Sequence, residues 1–176
     1  MKLACVDCHA TAAKSARLED NNLPRREACL KCHSDAVIKN PARTLLSRFD
    51  HAKHLKLGNL APVIAKAIDT KAYLSSAGNI RKYLNTQNAC AACHRGLEES
   101  GAVSQANFPQ MADCLVCHST VDPPFSCEFC HSKDTKLKPG NHSPDFIDTH
   151  TRAKSGLDKT TCAVCHGRRF TCLGCH

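Results

Sequence analysis

All fourteen cysteines of this 176-residue chain fall into one pattern, Cys-x-x-Cys-His, repeated seven times. The repeats are Cys5-Cys8-His9, Cys29-Cys32-His33, Cys90-Cys93-His94, Cys114-Cys117-His118, Cys127-Cys130-His131, Cys162-Cys165-His166 and Cys172-Cys175-His176. Histidine makes up about 6% of the chain, so seven chance placements at one offset have a probability on the order of one in a hundred million or less. A disulfide scaffold gives no reason for the His. Zinc knuckles pair their Cys-x-x-Cys units and would leave a seventh unmatched. The pattern fits covalent attachment of c-type haem. In each repeat the two cysteines add across the vinyl groups of one porphyrin, and the adjoining His gives the iron an axial nitrogen.

Seven haems in 176 residues is one for roughly every 25, which changes what can form the core. The polypeptide has no Trp, two Tyr and six Phe, thin material for a conventional interior. The expected fold is therefore that of a multihaem cytochrome c. It is mostly coil with a few short α-helices and little or no β-structure, and the haems themselves fill the core. Each haem staples its segment covalently and through iron, so the apo chain should be largely unfolded.

The polypeptide charge of +8 suggests nucleic acid or an anionic membrane until the cofactors are counted. Seven haems bring roughly −14 from propionates, and each ferric iron in its porphyrin returns about one positive charge. The holoprotein then stands near +1 oxidised and about −6 reduced. Arg25-Arg26 and Arg168-Arg169 are better matched to propionates than to phosphates. No nucleic-acid partner is expected. No apolar run reaches transmembrane length. This kind of haem attachment takes place outside the cytoplasmic membrane, which predicts a periplasmic or extracellular protein. Met1-Lys2-Leu3-Ala4 is too short for a signal peptide, so a processed form or a piece of something longer is expected.

Three segments follow from the motif spacing. Residues 1–40 carry two haems, 41–131 carry three, and 132–176 carry two, and together they are expected to form one continuous haem-wired unit. Within the middle segment, residues 59–86 form a helical insert without cysteine. Asn59 caps its first helix, Leu60, Ile64, Ala67, Ile68 and Ala72 recur at helical spacing, and Gly78-Asn79 stops it. A second short helix covers Ile80 to Leu84, and the insert is expected to cover a haem face or a partner surface. Asp122-Pro123-Pro124 turns the chain between motifs four and five. Six residue steps from His166 to Cys172 reach at most about 21 Å, so haems six and seven lie edge to edge or stacked. Tunnelling falls steeply with distance, and such crowding is itself a conductor.

The axial ligands do not balance. Seven haems have fourteen axial positions, and the motif histidines fill seven of them. The distal candidates are His51, His54, His142 and His150, with His142 and His150 nearest to haems six and seven. Met1, Met111, a Lys or the α-amino group are the remaining donors. Even with both Met residues one haem stays short, and exchange between identical subunits cannot supply it. Some haems are five-coordinate, or a different chain or absent sequence completes them. Haems one and two, with no free His nearby, are the first to lack a partner.

Residues about 46 to 131 resemble the small three-haem cytochromes c of the class III type, relatives of the tetrahaem sulfate-reducer cytochromes. The match rests on Phe49-x-His51-x-x-His54 followed by the motifs at Cys90, Cys114 and Cys127. The resemblance implies that His51 ligates the haem on Cys90/Cys93 and His54 the haem on Cys114/Cys117. The family's third distal His stands just before its second motif, where this chain has Met111. Met111 either replaces that His at the Cys127/Cys130 haem or packs against a porphyrin face.

The expected function is electron transfer along seven haems, outside the cytoplasm, to redox protein partners or identical subunits. Motifs near both ends of the sequence suggest a filament subunit, with the haem on Cys172/Cys175 as an electron port. Two alternatives stand beside it. A multihaem reductase would use an open iron, against the lack of a Cys-x-x-Cys-Lys variant. A cytochrome subunit of a larger respiratory complex would receive its missing ligands from partner chains.

Overall fold

A computed structural model of the chain describes residues 3–35, 46–100, 103–121, 127–140, 142–149 and 162–167. His150, Cys172, Cys175, His176, the Arg168-Arg169 pair, the Asp122-Pro123-Pro124 turn and the 40/41 segment boundary lie outside the described residues.

The helices are short: α1 (Cys5–Cys8), α2 (Arg26–Leu30), α3 (His51–Lys56), α4 (Ala61–Asp69), α5 (Ile80–Tyr83), α6 (Ala89–Cys93), α7 (Met111–Val121), α8 (Phe146–Thr149) and α9 (Ala163–His166). Coil and single 3-10 turns join them, and no strand occurs among the described residues. The fold is the mostly coil, short-helix fold expected of a multihaem cytochrome. Haem motifs set most helix positions: a single turn brings the two cysteines of Cys-x-x-Cys to one side, as i and i+3 residues on a helix are neighbours.

The insert contributes the most to the protein's own core. Ala61, Ile64, Ala65 and Ala67 of α4 are buried together with Tyr73, Leu84, Ala92 and Ala112. Cys93, Val116 and Val164 pack against this cluster. α4 therefore rests on α6 and α7, the helices that carry motifs three and four. Its buried face meets the polypeptide behind those motifs. Among the described residues no large side chain is fully buried, and Leu3, Val6, Leu30 and Phe129, in or beside motifs, are exposed. The thin core expected from composition is present.

Asn59 works at the start of α4, its side-chain oxygen accepting from the Ala61 N–H at 3.0 Å while its amide donates to Thr86 O at 2.6 Å. The helix ends earlier than Gly78-Asn79. Lys71 takes a left-handed φ of 59°, and the amides of Ala72 and Tyr73 turn back onto Ala67 O at 2.7 and 2.9 Å. This is a Schellman-like cap built without glycine, which is why the apolar spacing through Ala72 misleads. The expected helix at Ile80 is present as α5.

Candidate haem sites

α3 is organised around its N-cap. The Asp50 carboxylate accepts from Lys53 N at 2.8 Å, starting a helix that carries His51 and His54 one turn apart. Two long-range bonds hold the helix in place: Ala52 N donates to Ser15 O at 2.9 Å, and Ser47 N donates to Cys130 O at 2.7 Å. Phe49 packs against both imidazoles, with centroids 4.7 Å from His51 and 4.5 Å from His54.

Three imidazole pairs share one separation. The ring centroids of His51 and His94 are 6.5 Å apart, those of His54 and His118 6.3 Å, and those of His142 and His166 6.1 Å. Two metal–nitrogen bonds of about 2.0 Å, with about 1.1 Å from each nitrogen to its ring centre, put two centroids about 6.2 Å apart across one iron. In each pair one His belongs to a motif and the other is a lone His. The residues present thus fit haem iron between them.

The hydrogen bonds to the rings agree. Nδ1 of His54 lies 2.7 Å from Asp50 O, Nδ1 of His9 2.7 Å from Asn22 O, and Nδ1 of His94 3.3 Å from Asn107 O. A proton on Nδ1, given to a carbonyl, leaves the Nε2 lone pair for a metal and fixes the ring. Nδ1 of His51 and of His118 are buried without a protein partner. Burial pushes the His51 and His94 imidazoles below their ordinary range, with neighbouring His charges adding, and so favours the neutral ligand form. Asn107 is buried and also donates to Arg95 O at 2.8 Å, so one side chain braces the loop after His94.

The cysteines are placed as thiols. Cys5 and Cys8, Cys29 and Cys32, Cys90 and Cys93, and Cys162 and Cys165 form no disulfides. Among the described residues no cluster of three His, Cys, Asp or Glu side chains is set to hold a bare metal ion, as zinc knuckles would be. Burial pushes the Cys114 thiol up to about 11, with Asp113, Cys130 and Cys93 adding to the rise. Burial, followed by the adjacent Cys5 thiol, raises Cys90, and Asn88 Nδ2 reaches Cys5 Sγ at 3.5 Å. Burial and then Cys127 raise Cys165.

These neighbours give the motifs an order in space. Motif two sits beside one, as α2 touches α1; one lies beside three, three beside four, four beside five, and five beside six. α7 also touches α9.

Met111 opens α7, one turn before Cys114, and is 39% exposed. His33 and His131 lie among the described residues. Arg95, Asp113, Tyr73 and Asn107 go beyond the residues that spacing singles out, since nothing in their local pattern marks them.

No helix among the described residues is long and apolar enough to cross a membrane. No curated protein and no solved structure matches the chain. The family model described as outer membrane cytochrome MtrC/MtrF-like, domains II/IV, matches residues 2–176, and the chain belongs to that family.

Proposed function

We propose that this member of the extracellular, surface-exposed multihaem cytochromes carries seven c-type haems and passes electrons along six of them in the order two, one, three, four, five, six. The observation that carries the reading is the shared 6.1–6.5 Å separation of three motif–lone His pairs. Bound haem iron supplies the one-electron chemistry; the chain supplies attachment, axial nitrogens and spacing.

In this reading Cys90/Cys93, His94 and His51 hold haem three, Cys114/Cys117, His118 and His54 hold haem four, and Cys162/Cys165, His166 and His142 hold haem six. The first two assignments are those implied by the class III-type resemblance of residues 46–131, and the opposed rings support them. Cys5/Cys8 with His9, Cys29/Cys32 with His33, Cys127/Cys130 with His131, and Cys172/Cys175 with His176 supply the remaining attachments, with His150 the distal candidate for haem seven. Met111 shares a helix face with Cys114, which neighbours Cys130, and this supports it as the distal donor for haem five. The segments 1–40, 41–131 and 132–176 act as one wired unit.

The partners are redox proteins that meet exposed haem edges. The family match gives filament assembly no support. A reductase remains the second reading, favoured by the shortage of distal ligands at haems one and two.

Intact mass spectrometry of the matured protein, read with its electron paramagnetic resonance spectrum, tests the proposal. Seven covalent haems, with low-spin signals for three, four and six, are expected. Fewer attached haems, or uniformly high-spin iron, would refute it. High-spin signals that shift with added nitrite would favour the reductase.

A further inference from the structure

Deep burial of charge is rare in a chain with so little interior, and among the described residues one ion pair has it. The side chains of Arg95 and Asp113 are each 4% exposed, while Arg26–Asp35, Arg81–Asp69, Lys82–Glu99 and Lys133–Glu128 lie at the surface. Arg95 directly follows His94 of motif three, and Asp113 directly precedes Cys114 of motif four.

The pair is bidentate. Arg95 Nη1 donates to Asp113 Oδ1 at 3.0 Å, and Nη2 donates to Oδ2. Two parallel bonds between planar groups fix angle as well as distance, which a Lys could not do. Each partner is also locked to its own segment. Arg95 Nη1 reaches Ala92 O at 3.3 Å inside motif three, and Asp113 Oδ2 accepts from Gln110 N at 2.7 Å at the start of α7. The Tyr73 hydroxyl, from the insert, donates to Asp113 Oδ1 at 3.0 Å. The carboxylate is thus fully satisfied.

A buried ion pair is a poor way to gain stability, because desolvation offsets most of the attraction. Its best-attested use is to fix register. The two segments it joins are those whose distal ligands share α3, and Phe49 keeps the His51 and His54 rings within roughly 9 Å of each other. One side of each haem site is therefore held by a common helix, and the other side needs its own tie. We propose that Arg95 and Asp113 are positioning residues that set the distance and tilt between haems three and four, and through them the rate of electron exchange between the two. Tyr73 packs and satisfies the carboxylate without itself setting the register.

The proposal rests on the haem reading above, so the unmodified holoprotein is measured first. Absence of low-spin haems three and four there fails that reading, not this one. Haem-resolved nuclear magnetic resonance across the oxidation stages then reports exchange between the two haems in three variants. In D113N exchange between haems three and four should fall by about tenfold, with all haems attached and low-spin. R95K, which keeps the charge and loses the fork, should fall between D113N and the wild type. Y73F should match the wild type in exchange while melting at lower temperature. Wild-type exchange in a fully matured D113N overturns the proposal, as does an equal slowing at every haem pair. Should D113N fail to mature, R95K decides, and unchanged exchange there overturns it.

Discussion

The imidazoles of His51 and His94 lie opposite each other with ring centroids 6.5 Å apart and planes 14° apart, although 43 residues separate them in sequence. A single helical turn away, His54 stands in the same relation to His118 at 6.3 Å. One six-residue helix thus serves two motifs.

Replacing a lone His should expose one iron at a time. H51A is expected to convert the haem on Cys90/Cys93 from low-spin to high-spin, H54A the haem on Cys114/Cys117, and H142A the haem on Cys162/Cys165. Electron paramagnetic resonance with quantified spin would show the loss of one low-spin haem per variant. Loss at another motif would break the pairing.

Removing the cap of α3 should weaken both sites together. D50A deletes the acceptor for Lys53 N and is expected to cost about 1 kcal/mol. The His54 ring bond uses the Asp50 backbone oxygen and is retained. The low-spin signals of both haems should then melt out at the same, lower temperature.

The insert is a packing element, and its two faces should respond differently. Ile64 is buried, so I64A should destabilise the holoprotein by about 2–5 kcal/mol. Val63 is 45% exposed on the same helix, and V63A should stay within about 0.5 kcal/mol. Thermal unfolding followed by circular dichroism makes the comparison.

Acid should dissociate the axial ligands. Burial lowers the His51 and His94 imidazoles below the ordinary 6.5, so the unfolded chain binds more protons than the folded one once pH drops toward that value. The stability these neutral rings contribute is complete above pH 6.5 and is lost as pH falls through their lowered folded values. Coordination to iron shifts the loss in the same direction, because protons and metal compete for one lone pair. A Soret titration from pH 8 downward should be flat at first and then turn high-spin in acid.

The chain without haem should not hold this fold. Expressed where haem cannot be attached, it is expected to give a coil-like far-ultraviolet spectrum and rapid proteolysis. A native-like spectrum would mean that the insert's small core suffices alone.

The candidate attachment residues could be picked out in the sequence because covalent attachment leaves a rigid signature. Each cysteine pair must lie one helical turn apart, and its His must follow at once. The pairings of His51 and His54 were implied by a resemblance carried on Phe49, and the structure sets those rings opposite His94 and His118. The Arg95–Asp113 pair left no such trace, since a buried ion pair joins residues 18 apart with no periodicity to mark it. The end of α4 was misplaced for a local reason. Lys71 does there what glycine usually does, and apolar spacing is blind to a left-handed backbone. The spatial order of the motifs, with one beside three, is a property of long-range packing that linear spacing does not encode.

The bonds that hold α3 come from far along the chain: Ser15 lies well before it, and Ser47 bonds Cys130 across 83 residues. On the proposed haem reading, proximal His residues arrive at their irons with the attachment reaction itself, being joined to the modified cysteine. The distal His51 and His54 can arrive only once segments on both sides have closed around them, the slow kind of contact to make. Attachment of these haems would thus precede the closing of their distal ligands. A half-assembled chain would already be coloured, with two adjacent irons still open to whatever small molecule is at hand.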